Sequence, residues 1–521
     1  MPPSAALVAL VCPLALTMAA ASCFARPGLR PRRVLAAAEL LALVAVFAAA
    51  GAVLIVALGG TLPGPRLGTG WLGLSVRLDA VSATMLALVS FIGWIVVRFS
   101  STYLDGEARQ GAFAGWLCAT LAAVLLLVQA GSLSLLVMAW IATSLCLHRL
   151  LLFYPDRPGA QRAARKKFIM ARLGDAAIVS ASLLLVIACG TDDIATILER
   201  AREAQVPDLM PWAAVLLAFA AVLKSALFPT GGWLTEVMEA PTPVSALLHA
   251  GVINAGGFLL IRLADVMLTA PVVLAALVGL GGLTAIVGGL VMLTQSAVKT
   301  SLAWSTIAQM GFMIMQCGLA LFPLALLHIV AHSLYKTHAF LASGQAIEQV
   351  AAIARPGPVA VPSGLAVMRA FGLALLIYVV VGTLFGFAGK SPQAIALGAI
   401  LIFGTAYLLA QGLAELAPRP LALRTGLFSL AAAVGYFALQ SGAEALTASV
   451  FPPPPAPGPL EWTLIVLAVL SFGGVAVAQA MFPLWSAHPA ASGLRTHLAN
   501  GLYANAVSDR LLGGWSSRHP A

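Results

Sequence analysis

Residues 224–262 read KSALFPTGGWLTEVMEAPTPVSALLHAGVINAGGFLLIR, and this stretch decides the fold. Lys224 sits inside an apolar run, AAVLLAFAAVLKSALF. Pro229 and the Gly231-Gly232 pair then interrupt the helix, and a second one is predicted from Pro241-Thr242-Pro243, with His249 one and a half turns in. Broken helices are tolerated in a bilayer only where the freed backbone groups find partners or line a cavity. An ionisable residue within a span is costly and marks a functional site by default. A lysine, a break and a histidine in one short stretch point to an ion path.

The rest of the chain supplies the membrane context. Of 521 residues, 61% are hydrophobic and only 9% charged, which excludes a soluble domain of this size. Apolar runs of about 20 residues recur throughout, as spanning helices require. The expected fold is all-α and polytopic, with about fifteen spans: 4–23, 34–58, 78–98, 112–130, 132–154, 168–189, 212–229, 243–263, 270–293, 300–319, 322–345, 364–388, 393–416, 422–440 and 461–482. The net charge of +10 follows these spans. Loops after odd-numbered spans, with the C-terminal tail, carry most of the Lys and Arg, including the run Arg157, Arg162, Arg165, Lys166, Lys167 and Arg172. The other loops hold Arg66, Arg77, Arg200, Arg202, Arg262 and Lys390. The positive-inside rule then predicts an N-terminus outside and a C-terminus in the cytoplasm. The basic surplus is a topology signal rather than a nucleic-acid footprint.

Arg149, Lys224 and Lys336 remain within spans. Arg149 and its neighbour His148 read as an interfacial anchor or, alternatively, a gate at a proton entrance. Asp79 opens a helix, where a carboxylate favours the exposed N–H groups. Asp175 follows Arg172 by three residues and reads as a structural pair. Glu39, near Arg32 and Arg33 at the membrane edge, reads as their ion-pair partner or as part of a solvated face. Glu236 and Glu239, in the break, either neutralise Lys224 or line a vestibule. Loop 190–211 contains ILERAREAQ, read as an amphipathic surface helix, and 364–388 as a further interrupted helix ending near Lys390.

A second cluster lies in 322–345. His328, His332 and Lys336 follow at i, i+4 and i+8, which forms a stripe about 12 Å long on one helix face. Three titratable groups in file read as a proton relay. No carboxylate or thiolate joins them, so a zinc site is not expected. Six scattered cysteines make no CxxC or Cys/His spacing, and no metal or cofactor is expected on this chain. No nucleophile–base pair, phosphate loop or dinucleotide fingerprint occurs, so catalysis is expected elsewhere. Residues 349–363 read as a short inside loop, FPPPPAPGP (451–459) as a polyproline spacer outside, and the tail from His488 as a docking or disordered segment on the cytoplasmic face.

These residues resemble the proton-translocating antiporter-like subunits shared by respiratory complex I and multisubunit cation/proton antiporters. The resemblance spans roughly 75–345 and rests on LDAVSATML, YLDGE, RLGD, KSALFP, APTPVSALLHA, LAWSTIAQMGFM and HIVAHSLYKTHAFLASG. It implies two inverted five-helix repeats with broken helices. It also implies a proton path of Lys224, His249, His328, His332 and Lys336; Arg149, Asp175, Glu236, Glu239 and Lys390 are candidate accessories from the residues themselves. Two departures stand out. The glutamate expected after the span-five tryptophan is absent, the sequence there being Trp140-Ile141, and 364–388 has no interior lysine.

Within that superfamily WIATSLCLHRLLLFY, HAGVINAGGFLLIRL and QMGFMIMQCGLALFPLALLHIVAHSLYKTHAFLASG are similar to the DabB-type membrane subunits of inorganic carbon transporters. That resemblance implies a cation-conducting subunit, expected to carry protons, in a bacterial inner membrane. It implies a large soluble carbonic-anhydrase-like partner of DabA type, holding zinc, in which CO2 hydration to bicarbonate is driven. The alternatives are a pumping subunit of a complex I-like quinone reductase, hydrogenase or Mrp-type antiporter, and a scaffold without flux. The organisation expected is N-terminal helices over 1–74, a conducting core over 75–345, further helices over 346–482 and a cytoplasmic tail over 483–521.

Overall fold

A computed structural model describes residues 3–68, 72–345, 363–413, 419–485 and 488–511. It is helical nearly throughout. The helices begin with α1 Val11–Ala25, α2 Arg32–Gly59, α3 Ala80–Tyr103, α4 Gln110–Val128, α5 Leu133–Leu151 and α6 Pro158–Cys189. Next come α7 Ile194–Ala201, α8 Met210–Lys224, α9 Gly232–Glu236, α10 Thr242–Ala250, α11 Ala255–Arg262 and α12 Ala264–Leu268. Then follow α13 Pro271–Met292, α14 Val298–Gly318, α15 Phe322–Leu341, α16 Gly364–Leu384, α17 Pro392–Gly412, α18 Arg419–Thr447 and α19 Pro459–Ala480. The last are α20 Phe482–Trp485, α21 Pro489–Ala499 and α22 Ala504–Leu511. One antiparallel hairpin, β1 Leu62–Leu67 with β2 Leu74–Leu78, precedes α3.

Among the described residues, twelve spans are long and apolar enough to cross a membrane, with α10 and α11 counting together as one. The expected count of about fifteen is therefore not confirmed on those criteria. The three segments that fall short are helices all the same. α8 has only 15 residues, and α14 and α15 carry the polar groups described below, which lower their hydropathy. They belong to the packed interior, where a helix need not be apolar all round.

Loops that the charge count assigns to one side are joined to each other. Arg30 pairs with Asp105 at 2.7 Å, and Tyr154 donates to Glu107 at 2.8 Å. On the other side Arg66 pairs with Asp192, and Arg202 makes a two-pronged contact with Asp265 at 2.8 Å while donating to the Val450 carbonyl at 3.0 Å. Such links fit a chain that crosses the bilayer repeatedly. Asp79 caps α3 by accepting from the Ser82 N–H at 2.9 Å. It also pairs with Arg77 at 2.9 Å and Arg262 at 2.6 Å, so the capping carboxylate ties α3 to the end of α11.

Several expectations change. Glu39 faces Arg98 at 3.6 Å rather than Arg32 or Arg33, because α2 packs along α3. The segment 243–263 is not one regular helix: a 3-10 turn over Val252–Asn254 separates α10 from α11. The segment 364–388 is not interrupted within; α16 runs unbroken to Leu384 and ends at Gly386 in the left-handed region. α7 is amphipathic as read, with Ile194, Ile197, Leu198 and Ala201 buried along one face. The loop expected at 349–363 lies outside the described residues except for Ser363, as do the end of span 393–416 and the tail beyond 511.

Candidate functional site

The break after α8 is where the site begins. α8 ends at Lys224, and the chain crosses to α9 through a turn in which Ala226 takes a φ of 51°. Gly231 lies so close to the Ala226 carbonyl that a Cβ would collide with backbone, and Gly256 packs as tightly on Ala221 and Ser225. Gly231 lets the break fold back on itself, and Gly256 lets α11 lie against the end of α8. The Lys224 side chain is thereby directed inward, and its Nζ is buried with no hydrogen-bond partner.

Its nearest neighbour of note is Trp140, on α5. The Lys224 Nζ sits 4.3 Å from the ring centroid, in cation–π contact. Trp140 is itself 1% exposed. Asp175, on α6, acts on Lys224 only through space; its close contact, at 2.5 Å, is with Arg172 as the spacing predicts. A cavity of ≈ 20 Å³, lined by Lys224, Lys167, Trp233, Leu248, Val252 and Ile253, leaves room for about one water beside the ammonium.

Lys167 is a second buried lysine here, one that sequence reading counted with the loop. α6 starts at Pro158, ten residues before the apolar run, so Lys167 is carried into the packing and is 5% exposed. It donates to the Ser144 carbonyl at 2.8 Å and to the Ser144 Oγ at 3.0 Å. Two lysines facing one small cavity, neither of them ion-paired among the described residues, form the first half of the site.

The second half lies where α10, α14 and α15 meet. His249 is fully buried, and its Nδ1 is 3.0 Å from the Thr306 Oγ1. Thr306 gives its single proton to the Leu302 carbonyl at 2.9 Å, so it accepts from His249, which places the imidazole proton on Nδ1. The Nε2 then carries a lone pair, and it has no partner. Lys336, also 0% exposed, donates to the same Leu302 carbonyl at 3.0 Å. His332 donates from Nε2 to the His249 carbonyl at 3.1 Å. Phe340 stacks on the His249 ring at 4.4 Å, and His328 lies 5.9 Å from His332, ring to ring, its Nε2 unpartnered.

The structure therefore brings His249, His328, His332 and Lys336 together, with Thr306 as a bridge that no spacing rule flagged. Lys224 lies apart from them. No hydrogen-bond chain joins it to His249 among the described residues; the cavity walled by Leu248, Val252 and Ile253 lies on that side. The 3-10 turn in the same stretch is held by Asn254, which donates to the Ala250 carbonyl and the Ser333 Oγ, both at 2.9 Å.

The accessory residues fall elsewhere. Glu236 pairs with Lys166 at 2.6 Å, and Glu239 with Arg157 at 3.6 Å; neither neutralises Lys224, because both point toward the N-terminal end of α6. Lys166 also pairs with Asp509 of α22 at 2.5 Å, and Asn505 donates to the Thr235 Oγ1 at 3.2 Å, so the C-terminal segment lies across the break. Arg149 stacks over Trp116 at 5.8 Å, a contact that fits the anchor reading. Lys390 pairs with Glu444 at 2.6 Å in a separate cluster with Gln440.

With this geometry in place, the likenesses are informative. Residues 130–404 match the family described as NADH:quinone oxidoreductase/Mrp antiporter, TM, and residues 66–114 match the NADH-Ubiquinone oxidoreductase (complex I), chain 5 N-terminus. The chain is 36% identical over 456 residues to the "Probable inorganic carbon transporter subunit DabB2" of Halothiobacillus neapolitanus, covering 87% of this chain and 82% of that protein. It is 46% identical over 285 residues to the "Probable inorganic carbon transporter subunit DabB" of Hydrogenovibrio crunogenus, covering 53% and 55%. In fold it is similar to a chain of the Mrp complex from Dietzia sp. DQ12-45-1b, with a TM-score of 0.59 at 22% identity over 97% of this chain and 60% of that one.

Proposed function

The chain belongs to the NADH:quinone oxidoreductase/Mrp antiporter transmembrane family, in the branch of the DabB-type inorganic carbon transporter subunits, and on that footing we propose that it conducts a cation, the proton, to drive inorganic carbon accumulation. The observation that carries this reading is the buried network in which Lys336 and His249 converge on Thr306 and the Leu302 carbonyl with no carboxylate to fix their charge.

The chemistry follows from the donors and acceptors. A proton arriving at the free Nε2 of His249 makes the ring a double donor, and release from Nδ1 toward Thr306 restores a neutral ring of the other tautomer. Thr306 donates to the Leu302 carbonyl, which cannot take its proton. It hands a proton on only if its hydroxyl turns from that carbonyl to a water or to the deprotonated amine of Lys336, which shares the carbonyl. That turn makes it a gate. His332 and His328 extend the file along α15. Lys224 and Lys167, beside a cavity sized for one water, would take up protons from the side on which Lys166 and the C-terminal segment lie. The membrane potential supplies about 2.3 kcal/mol per charge per 100 mV.

The chain itself performs no carbon chemistry in this reading. Its partner is a soluble, zinc-holding carbonic-anhydrase-like subunit of DabA type, docked in the cytoplasm of a bacterium whose inner membrane holds this subunit, N-terminus outside and C-terminus inside. A pumping subunit of a complex I-like or Mrp-type assembly is the rival. Its second-half lysine has no counterpart inside α16, and Lys390 is held by Glu444.

Affinity purification of the C-terminally tagged chain from native membranes, with zinc and partner analysis, tests the assignment. One large zinc-bearing soluble partner supports it; a set of iron–sulfur or antiporter subunits refutes it. In cells, Lys224→Ala and Lys336→Ala are expected to abolish growth in air while leaving the complex assembled. Normal growth of both variants in air would refute the proton path.

A further inference from the structure

The polyproline stretch takes no part in the proton path, yet it closes a cavity in the chain's second half. The loop between α18 and α19 lies across the ends of α13, α14 and α17, and the space beneath it measures ≈ 260 Å³. Pro453 and Pro455 form its roof, and Leu274, Val278, Leu319 and Leu464 its apolar floor. At this size it falls just short of the roughly 300–1,000 Å³ of drug-sized sites. It has room for a headgroup and the start of a chain, not for a whole lipid.

Two polar side chains line this space, and both present acceptors. Gln393 is 4% exposed, and its Nε2 donates to the Pro455 carbonyl at 2.7 Å, which fixes the amide. Its Oε1 is consequently turned away from that bond, buried and without a partner. A buried acceptor left unsatisfied costs about 1–3 kcal/mol. Glu461, in the first turn of α19, adds a carboxylate. No basic side chain lines the cavity. Its occupant therefore donates hydrogen bonds and is cationic at that end, which excludes bicarbonate and anionic headgroups.

The depth of the site identifies the source of such a group. Trp462 follows Glu461 and is 47% exposed on the outside of α19, as an interfacial tryptophan is at headgroup level. Beyond it α19 presents an exposed apolar face of Val466, Leu467 and Leu470. We propose that this cavity binds a phospholipid with a primary-amine headgroup, of the phosphatidylethanolamine class. Its ammonium donates to the Gln393 Oε1 and the Glu461 carboxylate, and the start of an acyl chain lies over Leu274, Val278 and Leu464. The polyproline loop, stiff and unable to donate through its proline nitrogens, keeps the roof open over the headgroup.

The test uses the intact complex, purified in mild detergent and exchanged into nanodiscs of mixed phosphatidylethanolamine and phosphatidylglycerol, with retained lipid measured by native mass spectrometry. The wild type is expected to retain one more phosphatidylethanolamine than Val278→Trp, which fills the cavity. Glu461→Gln and Gln393→Leu are each expected to lower that retention by at least threefold without affecting assembly. Equal retention in all four proteins, or equal retention of phosphatidylglycerol by the wild type, would mean adventitious boundary lipid only and would overturn the proposal.

Discussion

Replacing Lys336 with methionine separates a conducting lysine from a structural one, because the two roles predict opposite effects on stability. Lys336 is 0% exposed and forms no ion pair among the described residues. Its hydrogen bond goes to the Leu302 carbonyl, which Thr306 already satisfies at 2.9 Å, so nothing is orphaned when the ammonium is removed. The bond lost is worth about 1.5–3 kcal/mol as a charged donor. The desolvation of a buried, unpaired ammonium costs several kcal/mol, and a flexible thioether of similar length fills the space. Lys336→Met should therefore leave the complex as stable as wild type or more stable by up to about 3 kcal/mol, while conduction falls at least tenfold. Thermal unfolding in detergent, followed by intrinsic fluorescence, reads the first effect, and proton uptake by proteoliposomes reads the second. A variant that melts several degrees lower and fails to assemble would show that the lysine holds the fold, and the reasoning would be wrong.

Other substitutions examine separate parts of the account. Trp140→Leu removes a cation–π contact worth about 0.5–2 kcal/mol, and should lower conduction by roughly 2–30-fold, with Trp140→Phe intermediate; the flux assay decides. Thr306→Val keeps the shape but not the hydroxyl, and should stop flux, whereas Thr306→Ser should retain most of it. Asp79→Asn leaves the 2%-exposed Arg262 side chain without its buried charge partner, at a cost of about 3–5 kcal/mol. That variant should be lost from the membrane on size-exclusion profiles, and wild-type recovery would mean the α3–α11 tie is dispensable.

Much of the architecture was legible because membrane helices are written in local terms. The apolar runs, Pro229, the Gly231 turn and the helix-capping role of Asp79 each act within a few residues of themselves. The stripe of His328, His332 and Lys336 was legible for the same reason, since one helix fixes its geometry. What the sequence did not reveal was who stands opposite. Trp140 meets Lys224 from 84 positions away, and Thr306 meets His249 from another helix, so periodicity carries no trace of either contact. Spacing alone left Glu236 and Glu239 open between neutralising Lys224 and lining a vestibule; the turn after Lys224 directs them to Lys166 and Arg157 instead of to the lysine. Lys167 was hidden by composition. A basic loop and the first turns of a long helix look alike until packing shows that α6 begins at Pro158.

The central claim is that protons cross this chain by way of Lys224. The most direct measurement places the purified complex in liposomes, imposes a potassium diffusion potential and follows internal pH with a trapped dye, comparing wild type with Lys224→Met. The account predicts potential-driven acidification in the wild type and none above empty vesicles in the variant, with both proteins equally incorporated. Equal acidification by the two proteins would contradict it.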